Sequence, residues 1–178
     1  MEDIFTKVLE VDGVSRALEI IDTAGQEEYK TLRDIYFKDS DGFVLVYSIT
    51  SPQSFVQATK LKDRLTQIHG PGKPIILAGN KLDLEREREV LEEEAYQYAV
   101  SQQVGFFECS AKEMINVVEL FSGVVRLIDR QRRNEAPRPS SQAGGGGAGG
   151  GGGDGNDGDA DETATRQKEK PSKKCVIL

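Results

Sequence analysis

Phe43-Val44-Leu45-Val46-Tyr47 is an unbroken apolar run, rich in β-branched and aromatic residues. A strand with one wet face alternates apolar and polar side chains. A run without alternation is buried on both faces, as strands inside a parallel sheet are. Ile75-Ile76-Leu77-Ala78 repeats the pattern, and Gly105-Phe106-Phe107-Glu108-Cys109 is a shorter candidate. Helical periodicity fills the intervals. Ser51-Pro52 opens one helix with a hydroxyl cap and a proline at its first position. Phe55, Ala58, Leu61, Leu65 and Ile68 lie on one helical face, and Gly70-Pro71-Gly72 stops the pattern. Further helices are predicted over Glu92 to Gln103 and Val117 to Arg133. Strand and helix alternate from residue 43 onward, which implies right-handed βαβ units and an α/β fold.

Working back toward the N-terminus, residues 3–11 alternate loosely and a second strand-like run covers Ser15 to Ile21. Asp12-Gly13 between them is a hairpin signal, because glycine accepts the positive φ of a tight turn. After Leu18-Glu19-Ile20-Ile21 comes Asp22-Thr23-Ala24-Gly25-Gln26-Glu27. A carboxylate, a glycine N–H and a glutamine thus emerge together at the end of a buried strand. Nucleotide-binding α/β proteins place ligands there, beyond the carboxyl ends of the strands.

Residues 1–134 are read as one folded domain within the 178-residue chain. Residues 135–174 read as a disordered linker. It contains nine glycines and one alanine over 144–153, an acidic block from Asp154 to Glu162, and a basic block from Arg166 to Lys174. Such composition buries too little apolar surface to offset the entropy of ordering. The net charge of -7 argues against a nucleic-acid polymer as partner. Two cysteines, Cys109 and Cys175, make no disulfide framework and fit a reducing compartment. No apolar run approaches the roughly 20 residues needed to span a bilayer. His69, the single histidine, is expected to be solvated, and Glu85-Arg86-Glu87-Arg88-Glu89 to be an exposed loop.

Three polar constellations follow three strands: Asp22 to Glu27, Asn80-Lys81-Leu82-Asp83, and Cys109-Ser110-Ala111-Lys112. Singly, each is a plausible loop; chance hardly gives all three in this order. Together they resemble the Ras superfamily of small GTPases, in its Ras/Rap branch, over residues 2–134. Gln26 favours Ras and Val44 to Thr50 favours Rap, so both readings stand.

The resemblance implies a P-loop-NTPase-like three-layer sandwich with a mostly parallel sheet and one antiparallel edge strand. It implies GTP and GDP as ligands with Mg²⁺ as cofactor. Asp83 would accept hydrogen bonds from the donor edge of guanine, a donor pair that adenine lacks. Asn80 and Lys81 would shape the base pocket, and the Ala111 N–H would meet the base carbonyl, with Ser110 and Lys112 in the same loop. Ala24 and Gly25 join the nucleotide-binding set, the Gly25 N–H facing the γ-phosphate with no side chain in the way. Asp22 would sit behind the waters of Mg²⁺. Gln26 takes the place of the glutamine that orients the attacking water in Ras-type enzymes. Glu2, Asp3, Phe5 and Tyr29 fall where the family meets effectors and regulators. Tyr36 and Phe37 are candidates for the same contacts or for the core.

The pattern departs from the family at the front. The first strand, the Gly-x-x-x-x-Gly-Lys-Ser/Thr phosphate loop, the first helix and the switch I threonine have no counterpart here. The chain therefore reads as an N-terminally incomplete domain. The loop would supply the N–H cradle and the phosphate lysine, and the missing strand would lie between those at 15–21 and 43–48. The chain made alone is therefore expected to be unstable or aggregation-prone, because a lost central strand forfeits burial comparable to the ~5–15 kcal/mol net stability of a domain.

Cys175-Val176-Ile177-Leu178 fits a C-a-a-X prenylation box whose final leucine points to geranylgeranylation. One lipid anchors weakly. Lys168, Lys170, Lys173 and Lys174 would add roughly 1 kcal/mol each near an anionic leaflet. The expected protein is a monomeric GTP-hydrolysing switch on the cytoplasmic face of the plasma membrane or an endomembrane. Its partners would be exchange factors, GTPase-activating proteins, effectors and a prenyltransferase. The alternative is a non-hydrolysing, membrane-tethered interaction module.

Overall fold

The computed structural model describes residues 2–23, 37–135 and 173–178. Strands β1 (Glu2–Val11) and β2 (Val14–Thr23) form the predicted hairpin. Asp12 and Gly13 make its turn with φ of 53° and 72°. Two successive positive values match the twist of the strands and favour glycine in the second place. The apolar runs become β3 (Gly42–Ser48), β4 (Ile75–Asn80) and β5 (Gly105–Glu108). Helix α1 (Pro52–His69) starts at Ser51, whose hydroxyl accepts from the Ser54 N–H, and ends before Gly70 at φ 75°. Helices α2 (Glu92–Ser101) and α3 (Val117–Glu135) flank β5 in sequence.

The sheet order is β1-β2-β6-β3-β4-β5, where β6 is Lys173–Ile177. Every pair is parallel except β1 with β2. This is the expected α/β sandwich with one antiparallel edge strand. Helices α1 and α2 cover one face. There Phe55, Ala58, Leu65, Ala95 and Ala99 belong to one core with Phe43, Leu45, Tyr47 and Val176. Helix α3 covers the other face, bringing Leu120, Val124, Val125 and Ile128 to Leu18, Val44, Ile76, Ala78 and Cys175. The continuous run 43–47 thus divides its side chains between two cores, the physical reason it lacks alternation.

β6 departs from the expected organisation. Residues 173–177, read as the end of a linker and the start of a lipidation box, form a central strand, and Glu135 closes α3. Cys175 lies in register between Ile20 and Gly42, and Val176 between Ile21 and Phe43. The place assigned by resemblance to a strand ahead of residue 1 is therefore filled, so the premise of the expected instability is absent. An empty place would leave facing rows of N–H and C=O groups on β2 and β3 without partners. Cys-Val-Ile is short, apolar and β-branched, so it suits a strand buried on two faces.

The expectation of a solvated His69 is corrected, and two further side chains are placed. His69 is half-buried, with Nε2 hydrogen-bonded to the Phe37 carbonyl, and burial pulls its pKa below the usual value. Phe37 is in the core, edge-on to Phe43 at 5.8 Å. Lys173, read as part of a basic flank, is buried against Asp129.

Candidate functional site

Because β4 and β5 are parallel neighbours, their carboxyl ends bring the 80–83 and 110–112 loops together. The Cys109 N–H donates to the Gly79 carbonyl at 2.8 Å, and the Leu82 N–H to the Cys109 carbonyl at 3.0 Å. Lys81 is left-handed (φ 68°, ψ 37°) and turns the chain from β4 into a 3₁₀ segment, Leu82–Glu87. That backbone is uncommon for a side-chain-bearing residue. Asn80 Oδ1 stabilises the turn by accepting from the Lys81 N–H at 2.7 Å and the Ala111 N–H at 3.1 Å. One amide oxygen thereby pins both loops.

Asp83 lies against the second loop. Ser110 Oγ donates to Asp83 Oδ1 at 2.6 Å and accepts from the Glu113 N–H at 3.0 Å. Lys112 Nζ stands 3.8 Å from Asp83 Oδ2, its own side chain largely in solvent. The Ser110 hydroxyl is the main reason the Asp83 carboxyl sits below its ordinary range. Burial opposes it, while a local N–H and the charges of Lys112 and Lys81 assist. Ser110 itself is buried, and it exchanges two backbone bonds with Ile115, each 3.0 Å. Met114 and Asn116, both at φ 56°, bend the loop, and Asn116 Nδ2 closes it on the Glu108 carbonyl at 2.8 Å.

In the charged run after Asp83, Glu85, Arg86, Glu87 and Glu89 are exposed as expected, but Arg88 is held inward. Arg88 donates to both carboxylate oxygens of Glu108, at 2.6 and 2.7 Å, to Glu85, and to the Val90 carbonyl at 3.1 Å. Its side chain is only 11% exposed and that of Glu108 only 8%. A fork of this kind fixes geometry as well as charge, so the segment carrying Asp83 is fastened to the end of β5. Beneath it, Gly79 passes so close to Tyr47 that an added Cβ would stand 2.7 Å from the Tyr47 hydroxyl. That hydroxyl is buried without a hydrogen-bond partner among the described residues.

The structure thus brings Asn80, Lys81, Asp83, Ser110, Ala111 and Lys112 into one site. Asp22 is exposed near the end of β2, in register with Asp3 and Ile177. Glu2 and Asp3 are on the edge strand β1, where Phe5 is half-exposed. Ala24, Gly25, Gln26, Tyr29 and Tyr36 lie outside the described residues. Cys175 is buried in β6. Sequence reasoning missed the bracing roles of Arg88, Glu108 and Asn116. Charge alternation in 85–89 carried no sign of a partner 20 residues away. The Asn-Val at 116–117 did sit where a helix start was expected.

Asp83 presents acceptors only, and the Ala111 N–H now spends its hydrogen bond on Asn80. A heterocycle with two adjacent donors and a carbonyl fits that set; its carbonyl would share or displace the Asn80 contact. Among the described residues no group of three His, Cys, Asp or Glu side chains could hold a metal ion.

Polar loops at the carboxyl ends of adjacent parallel strands are where open α/β proteins bind their ligands. Residues 1–130 match the model of the Ras family. Ras-related protein R-Ras of Rattus norvegicus is 41% identical over 138 residues, which cover 77% of this chain and 63% of that protein. The Mus musculus and Homo sapiens R-Ras proteins are 41% and 40% identical over the same coverage. The chain spans 63% of the length of these relatives. It belongs to the Ras family, and its fold is the P-loop-NTPase-like α/β sandwich of that family.

Proposed function

We propose that the protein is a guanine-nucleotide-binding switch that selects its base through Asp83. The observation that carries this reading is the Asp83 carboxylate, braced by Ser110 at 2.6 Å and faced by Lys112, beside the Ala111 N–H and Asn80. A carboxylate held ionised by a fixed hydroxyl is prepaid in orientation for two N–H donors. Adenine presents no such pair and would leave it unmatched. Membership of the Ras family supports GTP and GDP as ligands with Mg²⁺, hydrolysis assisted by Gln26, and exchange factors, GTPase-activating proteins and effectors as partners. Asp22, Ala24 and Gly25 would serve the phosphate and metal end. Cys175 would carry a prenyl group placed by a prenyltransferase, anchoring the protein to an anionic cytoplasmic membrane face.

Binding of the full chain to GDP, GTP, ADP and ATP, with and without Mg²⁺, tests the reading. A guanine preference of at least about 100-fold is expected from one unmatched pair of buried polar contacts. Equal affinity for guanine and adenine nucleotides overturns it.

One observation favours a second reading. β6 holds the strand position that the resemblance gives to the strand before the phosphate loop. That arrangement suits a base-recognising module without hydrolysis. Single-turnover GTP hydrolysis by the same protein separates the two: phosphate release supports the enzyme, and binding without turnover supports the module.

A further inference from the structure

The cysteine expected to take a lipid is closed off by the fold. Cys175 has no exposed surface, and its strand is paired on both sides, with Ile20 and Gly42 as register partners. The ladder continues past it. The Leu178 N–H donates to the Val44 carbonyl at 3.0 Å, and the Val46 N–H donates to Leu178 at 2.6 Å. The two adjoining lysines are engaged as well. Lys173 is buried against Asp129, which Arg16 also approaches at 3.0 Å. Lys174 Nζ stands 3.7 Å from Glu19, and its N–H donates to Asp41 Oδ2 at 3.0 Å.

We propose that residues 173–178 gate their own modification. Docked as β6, they withhold the Cys175 thiol and Lys173 together; undocked, they become a lipid acceptor with a basic flank. This deepens the lipid-anchor reading above and rests on it.

The chemistry requires the undocked state. In prenyl transfer the Cys175 sulfur attacks C1 of an isoprenoid diphosphate. The S–C bond forms as the C–O bond breaks, diphosphate leaves with the electron pair, and the thiol proton passes to solvent. Burial pushes the Cys175 thiol up to about 12, which leaves little of the nucleophilic thiolate at neutral pH. The product cannot return to the sheet, because a close-packed interior has no room for an isoprenoid chain. Lipid attachment would therefore hold the segment out and leave the β2–β3 place open.

The test is alkylation of the folded full chain, with labelling of Cys175 and Cys109 quantified separately by mass spectrometry. Cys175 is expected to react at least about 100-fold more slowly than in denaturant, as amides in stable strands do in exchange. Labelling at the denatured rate overturns the proposal. Val176→Asp puts a carboxylate into the core beside Cys175 and should release the strand. Fast labelling of Cys175 with Cys109 still protected supports the gate. Fast labelling of both shows that the strand cannot leave without the domain, and overturns it. A synthetic peptide of residues 171–178, with geranylgeranyl diphosphate and a protein geranylgeranyltransferase, judges the anchor reading separately. A peptide that takes no lipid removes that reading and with it the gating of prenylation. The labelling result would still decide whether the thiol is sequestered.

Discussion

Thr23 Oγ1 donates to the Ile177 carbonyl at 3.0 Å, joining residues 154 positions apart. The bond ties the end of β2 to the end of β6 from a buried threonine. Thr23→Val keeps the shape and removes the donor. A net loss of about 1 kcal/mol is expected, a factor of about 5 in the opening equilibrium of β6. The native alkylation rate of Cys175 should rise accordingly; an unchanged rate would show that this bond does not secure the strand.

Arg88 and Glu108 form a pair that is nearly withdrawn from water. Arg88→Ala leaves the Glu108 carboxylate buried without its partner, which typically costs about 3–5 kcal/mol. Replacing both residues with apolar ones of similar volume should cost much less, since no orphaned charge remains. Denaturant unfolding of the two variants checks this. A double variant as unstable as Arg88→Ala would point to lost packing in place of lost charge pairing.

Tyr47 carries a buried hydroxyl with no hydrogen-bond partner among the described residues, and burial drives its pKa upward. Its ring packs edge-on against Phe55 at 5.1 Å. Tyr47→Phe retains that contact and removes an unmatched polar group, so stability should be unchanged or up to about 1 kcal/mol higher. A loss of more than about 1 kcal/mol on chemical unfolding would reveal a hydrogen bond to the hydroxyl.

Gly79→Ala should be destabilising by roughly 1–3 kcal/mol through overpacking. The new Cβ would meet Tyr47 Oη at 2.7 Å and Cζ at 2.9 Å. Combined with Tyr47→Phe, the penalty should fall only in part, because the ring carbon remains. A double-mutant cycle reads the coupling, and strict additivity would mean the two side chains do not collide.

Asp83 supplies the pH dependence of the site. Its folded pKa lies below the ordinary 3.8, chiefly because of Ser110. A depressed carboxyl contributes stability that is present above the unfolded value and lost as pH falls through the folded value. Its share of acid sensitivity therefore lies below pH 3.8. Ser110→Ala should move the Asp83 midpoint upward in a ¹³C carboxyl titration and weaken guanine binding about tenfold, the worth of one charged hydrogen bond. If the midpoint stays in place, Ser110 is not its cause.

Much of the fold was legible because its signals are local. Asp12-Gly13 is a turn by virtue of its own φ preferences, and Ser51-Pro52 a helix start by its own hydroxyl and ring. The apolar runs at 43–47 and 75–78 announced two-sided burial without reference to any partner. The candidate site was legible in part, because Asn80, Asp83 and Ala111 each follow a recognisable strand. Ser110 was read as part of the same loop, but the bond from its hydroxyl to Asp83 was not legible. Arg88 was read as solvated because local charge alternation carries no information about Glu108.

The deepest divergence concerns Cys175-Val176-Ile177-Leu178. Its composition satisfies two descriptions at once, a lipid acceptor and a buried strand. The sequence by itself determined the α/β class, the strand–loop positions of Asn80, Asp83 and Ala111 and the apolar character of this final segment. Only the tertiary structure decided that the segment lies between β2 and β3. A strand's place depends on which facing N–H and C=O rows lack partners and which cores have room, and both are set by residues far away in the chain.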